Sequence, residues 1–264
     1  MTIGEVIDYL EEIAPNEYQM SYDNSGLLVG SRAMEVSNIL ISLDCIESIV
    51  DEAIDKGCNL IIAHHPIIFS GLKRLTGASY IERTVIKAIQ NNIAIYAIHT
   101  NLDSVLENGV NTEICDRLGL ENRSILSADL KLDPSGKVGA GMIGTLAQSM
   151  DTMDFFKFLK DAMNINMIKH TEITRKKIVK VAVCGGSGRF LLEQAKQTNA
   201  DIFISSDFKY HEYFDADGSI IIADIGHYES EQFTIDLIHR LITEKFSTFA
   251  PLKTSLLTNP VRYF

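Results

Sequence analysis

The run Leu60-Ile-Ile-Ala-His-His-Pro66 joins four apolar residues to two imidazoles and a proline. Four apolar residues suit a buried strand and fall short of a helix. Adjacent residues on a regular strand point to opposite faces, so His64 and His65 are expected to serve two ions rather than to grip one together. Pro66 keeps the residue before it extended, which leaves His65 at the rim of the sheet. Upstream, residues 39–43 form a second apolar run, and Ile46, Ile49, Val50, Ala53 and Ile54 fall at helical spacing before Gly57. Downstream, a helix near residues 81–89 precedes a strand at 93–98 that ends in His99. Strand and helix alternate, which predicts an α/β fold with a largely parallel sheet.

The pattern returns later in the chain. Residues 178–184 read as a strand, 185–188 as a turn, 190–197 as a helix and 202–205 as a strand. Two related α/β lobes with mixed, largely parallel sheets are expected, with a metal site in the cleft between them. The boundaries are drawn at residues 1–125 plus 225–264 for the first lobe and 126–224 for the second. The polar, turn-rich residues 126–136 are read as a crossover between them. At the N-terminus, Ile3, Val6, Ile7, Leu10 and Ile13 define an amphipathic helix, opened by a Thr2–Glu5 capping box and stopped by Pro15.

Composition narrows the class of function. The 264 residues allow two modest domains, and 46% hydrophobic with 22% charged residues describes a globular chain. With 24 Lys and Arg against 35 Asp and Glu, the net charge of −11 repels phosphate backbones and anionic lipid. Neither nucleic acid nor membrane is therefore an expected partner. Cys45, Cys58, Cys115 and Cys184 form no CxxC pair and read as reduced, buried thiols. Residues 1–13 lack the basic start and apolar run of a signal peptide, and a cytoplasmic location is expected.

The chemistry gathers where strands end. Four of the seven histidines, His64, His65, His99 and His227, follow an expected strand, where ligands of open α/β sheets bind. Asp103 lies in the loop after His99. Glu231 follows His227 by four residues, so both share one helical face. Glu231 has two oxygens with which to bridge two ions, and the set His64, His65, Asp103, His227 and Glu231 suits a pair of divalent cations ~3.5–4 Å apart. Imidazoles mixed with carboxylates fit zinc, iron, manganese or nickel. Catalytic roles fall on Glu231 and, as proton carriers, on His99 or Tyr228. Each fragment also has a plainer reading: a hydrogen-bonded His pair, a helix-surface His–Glu pair, a loop cap at Asp103. Gly185-Gly-Ser-Gly188 suits a phosphate cradle or a tight turn, the turn being preferred because no nucleotide fingerprint matches. Phe155, Phe156 and Leu159 read as the core face of a helix.

Five strings together resemble one family: Tyr22-Asp-Asn-Ser-Gly-Leu-Leu-Val-Gly30, Ala63-His-His-Pro-Ile-Ile-Phe69, His99-Thr-Asn-Leu-Asp103, Gly185-Gly-Ser-Gly188 and Gly226-His-Tyr-Glu-Ser-Glu231. The chain is similar to the NGG-interacting-factor-three family, whose members are labelled GTP cyclohydrolase 1 type 2 homologs. The resemblance implies a dinuclear metal site on His64, His65, Asp103, His227 and Glu231. It also implies a ring-shaped homohexamer whose metal sites face an internal cavity. Some members carry an inserted domain between the halves, and this chain reads as the compact form. Two strings depart from the family pattern. Tyr22 stands where Trp is frequent, and Ser205-Ser-Asp207 stands where Thr-Gly-Asp is frequent; neither departure is expected to touch a ligand. The function implied is a metal-dependent hydrolase acting on a small-molecule, nucleotide-like substrate. The alternatives are a non-catalytic metal-binding regulatory or interaction protein, or ions that only staple the fold.

Overall fold

A computed structural model of the chain describes residues 1–247 and 249–264. In chain order, α1 (Ile3–Ile13) is followed by β1 (Gly26–Val29), β2 (Ile39–Ser42), α2 (Glu47–Asp55), β3 (Leu60–Ala63), α3 (Tyr80–Gln90), β4 (Ala94–Ala97) and α4 (Thr100–Asp103). Then come α5 (Val110–Arg117), β5 (Leu120–Ala128), β6 (Gly139–Asp151), α6 (Thr152–Met163), β7 (Lys169–His170) and β8 (Lys177–Ser187). The chain closes with α7 (Leu192–Gln197), β9 (Ile202–Ser206), β10 (Ile221–Asp224), α8 (His227–Glu231), α9 (Thr234–Lys245) and β11 (Leu252–Lys253). Two compact units result: Met1–Leu102 with Thr234–Phe264, and Asp103–Phe233.

The first unit holds a five-stranded sheet in the order β1-β4-β3-β2-β11. All pairings are parallel except the edge pair of β1 with β4. β2, β3 and β4 are buried along their whole length, as strands covered on both faces must be, which is why they read as unbroken apolar runs. α2 and α3 pack their Ile49, Val50, Ala53, Val85 and Ala88 against Leu40, Ile61, Ala63 and Ile95. The N-terminal helix forms as read, with the Thr2–Glu5 capping box in place.

Glu52 ties the C-terminal segment to this unit. Its carboxylate accepts hydrogen bonds from Lys56 Nζ at 2.6 Å, Ser255 N at 2.8 Å, Ser255 Oγ at 2.6 Å and the Thr254 hydroxyl. Burial pushes this carboxyl up, but those donors more than offset it and hold it at about 2. A carboxylate held low contributes stability above its unfolded value of 4.5, and the contribution drains away as pH falls towards 2. The effect is on the order of 2 to 3 kcal/mol. Amide exchange in residues 252–255 is therefore expected to speed up between pH 4.5 and pH 3 in the native chain, and Glu52→Gln is expected to remove that pH dependence. Equal pH dependence in the variant would assign the effect to another group.

The second unit holds a six-stranded mixed sheet, β5-β6-β8-β9-β10-β7, in which β8, β9 and β10 run parallel. Alternation along these strands splits their side chains between two cores. Val181, Val183, Ile202, Ile204, Ile221 and Ala223 face α5 and α6, meeting Ile114, Cys115, Phe155, Phe156 and Leu159. Ala182, Cys184, Phe203 and Ile222 face the other way, against Leu192 and Ala195 of α7. Strand–helix–strand order thus occurs in both units, as the sequence predicts. All four cysteines are buried and free.

Three expectations change. The division falls at 102/103 and 233/234 rather than at 125/126 and 224/225, because α5 buries Ile114 and Cys115 in the core of the second unit. Residues 126–136 are no crossover but lie in a hairpin: β5 and β6 pair antiparallel from Leu120↔Leu146 to Ala128↔Gly139. Gly185 to Ser187 do not form a separate turn but extend β8, with Gly186 at φ +61. Among the described residues no helix is long and apolar enough to cross a membrane.

Candidate metal centre

In the first unit the carboxyl ends of β2, β3 and β4 lie side by side, in the register Ser42↔Ala63↔Ala97. Asp44, His64, His65 and His99 follow those ends directly. The rings of His64, His65 and His99 lie 5.0, 5.2 and 5.4 Å apart by centroid. One ligating atom from each lies within 4.8 Å of the other two. The opposite-face placement of a regular strand does not carry over to His64 and His65, whose rings are neighbours. β3 stops at Ala63 and both histidines sit in bends, so the alternation of a pleated strand no longer applies to them.

Each imidazole is fixed through Nδ1. His64 Nδ1 donates to the carbonyl of Ile98 at 2.8 Å, His65 Nδ1 meets Asp44 Oδ1 at 2.8 Å, and His99 Nδ1 meets Asp23 Oδ1 at 2.8 Å. A carbonyl only accepts, so the proton of His64 is on Nδ1 and the lone pair is on Nε2. Ring nitrogens anchored in this way are the usual support of metal-binding histidines, because the anchor sets both tautomer and ring direction. The anchors are themselves braced. Asp44 also accepts from Thr258 Oγ1 at 2.6 Å, and Asp23 accepts from the Thr100 amide at 3.1 Å and from its hydroxyl. Burial pushes both carboxyls up, but the hydrogen bonds and charge of their histidines win and hold each below the usual carboxylate range.

The second unit assembles a carboxylate-rich counterpart at the same ends of β8, β9 and β10. His227 opens α8 after Gly226, whose φ of +94 turns the chain out of β10. His227 Nε2 lies 3.2 Å from Glu231 Oε2, and its Nδ1 lies 2.6 Å from Asp207 Oδ2. The four-residue helical spacing thus brings imidazole and carboxylate together as expected. Asp103 reaches the same place: one of its oxygens lies within 4.8 Å of one from Glu231. Burial works against a charged His227, yet Asp207 and Glu231 on its two sides push it up to about 11. Negative charge is concentrated here, and only 3% of Glu231 is exposed. Such a site favours a cation. Cys184 lies near both carboxylates, and burial together with Asp103 and Glu231 pushes its thiol up, which keeps it a neutral thiol.

The Gly185-Gly186 end of β8 forms the backing of Glu231. A Cβ on Gly186 would lie 2.4 Å from Glu231 Oε1 and 3.3 Å from His227 Cε1. Ser230 Oγ accepts from the Gly186 amide at 2.9 Å, and the Ser205 and Ser206 hydroxyls donate to the Gly186 carbonyl at 3.1 and 2.6 Å. Asn111 links this backing to Asp103, accepting from Gly185 N at 2.9 Å and donating to Asp103 O at 3.0 Å.

Within Ser205-Ser206-Asp207, the two serines that depart from the family pattern reach the Gly186 carbonyl rather than a ligand, whereas Asp207, which matches that pattern, reaches His227. Asp207 was not among the sequence candidates. Asp23, Asp44 and Asn111 were not among the sequence candidates either. Asp44 carried a signal, since it follows β2 by two residues and so falls beside His65 once the strands pair. His99 lies in the imidazole cluster itself, and Tyr228 is half-buried on α8 next to His227.

The family model described as Duf34/NIF3 (NGG1p interacting factor 3) matches residues 1–260. The chain belongs to the Duf34/NIF3 family. A Clostridium acetobutylicum relative named GTP cyclohydrolase 1 type 2 homolog is 34% identical over 232 residues, covering 88% of this chain and 85% of its own. A Staphylococcus epidermidis relative with the same name is 26% identical over 367 aligned positions and matches all of this chain, so it carries residues with no counterpart among the 264 here. The crystal structure of a Staphylococcus aureus hypothetical protein has a TM-score of 0.92 at 30% identity, covering 100% of this chain and 99% of its own. A Bacillus cereus protein related to NIF3 shares the fold at a TM-score of 0.89 and 24% identity, covering 100% and 99%. Duf34/NIF3 membership and the α/β architecture with mixed, largely parallel sheets agree with the resemblance read from the five strings.

Proposed function

We propose that His64, His65, Asp103, His227 and Glu231 hold two divalent cations and that the chain is a cytoplasmic, metal-dependent hydrolase acting on a nucleotide-like substrate. The observation that carries this reading is the anchoring of the imidazoles. His64, His65 and His227 each engage a hydrogen-bonding partner through Nδ1, which directs Nε2 to a ligand. The donor set fits: imidazole nitrogen with carboxylate oxygen suits zinc, iron, manganese or nickel. Cations bound there supply Lewis-acid polarisation and lower the pKa of water towards ~7.

The chain's own residues orient and shuttle. Asp44 and Asp207 hold the rings of His65 and His227 in place. Glu231, backed closely by Gly186 at the end of β8, supplies two oxygens. His99, braced by Asp23, and Tyr228, beside His227, are the proposed proton carriers. The relatives' name supports a purine nucleotide as the substrate class, and the family resemblance carries the homohexamer with it.

Protein purified without chelator is expected to contain about two equivalents of transition metal per chain by elemental analysis. Loaded with zinc, manganese or iron, it is expected to turn over a nucleotide or phosphoester, and Glu231→Ala to abolish that turnover and to lower the metal content. Full metal content with no turnover on any substrate would favour the regulatory metal-binding protein. Metal-free protein that takes up no added cation would overturn both readings.

A further inference from the structure

The C-terminal segment reaches the histidine cluster within the first unit. Glu52 holds Thr254 and Ser255, and the chain continues to Thr258, whose Oγ1 donates to Asp44 Oδ2 at 2.6 Å. The other oxygen of the same carboxylate, Oδ1, meets His65 Nδ1 at 2.8 Å. The next residue, Asn259, is buried. Three side chains from distant parts of the sequence thus form one hydrogen-bonded line, Thr258–Asp44–His65.

The torsion that turns an aspartate carboxylate is broad, so a single hydrogen bond leaves the group free to rock about it. Holding the second oxygen removes that freedom. A carboxylate fixed at both oxygens in turn fixes the ring that donates to the first. We propose that Thr258 is a positioning residue for His65, so that cation affinity at this imidazole depends on the seating of the C-terminal segment. The inference rests on His65 being a metal ligand. It adds an element that no motif around the histidines contains, since Thr258 lies 193 positions beyond His65 in the chain.

Thr258→Val keeps the branched shape and deletes the donor; Thr258→Ser keeps the donor. Replacing a residue that directly anchors a metal-binding histidine costs about 10- to 100-fold in affinity, and one contact further out the expected loss is roughly three- to tenfold. Zinc titrated into the metal-free chain is therefore expected to bind roughly three- to tenfold more weakly to Thr258→Val, with affinity restored in Thr258→Ser. A second readout needs no metal. The downfield Nδ1–H resonance of His65 in the metal-free protein is expected to shift upfield and exchange faster in Thr258→Val, and to return in Thr258→Ser. Zinc affinity and an Nδ1–H signal both unchanged in Thr258→Val would overturn the proposal, as would failure of serine to restore them. If the wild-type chain binds no zinc, the hydrolase reading fails by itself, and the Nδ1–H signal still decides whether Thr258 orients His65.

Discussion

Gly186→Ala is expected to disable the carboxylate cluster of the second unit while leaving the fold in place. Gly186 has a φ of +61, in the left-handed region where a Cβ costs on the order of 1 kcal/mol. More important is what that Cβ would meet, Glu231 Oε1 at 2.4 Å. The end of a flexible side chain normally moves aside at little cost. Glu231, however, is 3% exposed and shares its position with His227 and Asp103, so moving aside means leaving the place where it would bind a cation. Cation affinity measured by titration into the metal-free chain is expected to fall about 100-fold or more, at or beyond the upper end of what losing a supporting partner costs. The denaturant midpoint is expected to drop only modestly. Wild-type affinity in Gly186→Ala would remove Glu231 from the ligand set.

Phe155→Ala is expected to do the reverse. Phe155 is fully buried in the α6 face of the second unit, among Ile114, Leu159, Val181 and Ile202. Removing a ring from such a site loses its transfer free energy and leaves a cavity, together about 3 to 5 kcal/mol. Against a total stability of roughly 5 to 15 kcal/mol, that is a large fraction. The urea midpoint should fall accordingly, while the fraction that remains folded is expected to keep its cation stoichiometry, because Phe155 packs in the apolar core of the second unit. A stability loss below ~1 kcal/mol would mean that the helix repacks into the space. Taken together, the two variants separate support of the fold from support of the site.

The two variants also mark where sequence reasoning reached and where it stopped. Phe155 was legible from helical spacing alone, because an apolar stripe at that period has to be buried. Gly186 was read only as part of a tight turn. Its role depends on a carboxylate 45 residues away in the chain, and no local rule connects the two. His227 and Glu231 were legible as a pair, since four residues along a helix make one turn. Their partner Asp207 was not, because it is brought to His227 by the parallel pairing of β9 with β10.

The same distinction runs through the first unit. The apolar runs and the helices between them specified strand, helix and strand, because periodicity and burial are properties of short windows. The position of His64, His65 and His99 after strands was equally visible. The hairpin of β5 and β6 was missed because its polar tip looks like any other connection; only the antiparallel register identifies it. Strand alternation did not place His64 and His65 on opposite faces because β3 ends at Ala63, two residues before His65.

The sequence by itself determined the apolar strands and helices that flank the candidate residues and which of those side chains stand at strand ends, since both follow from local period and composition. Tertiary structure alone decided which carboxylate braces which imidazole: Asp44 with His65, Asp23 with His99, Asp207 with His227. Those pairings come from strand register and chain reversal, which bring together residues between 20 and 76 positions apart, and a hydrogen bond of 2.6 to 2.8 Å depends on that placement rather than on any neighbour in sequence.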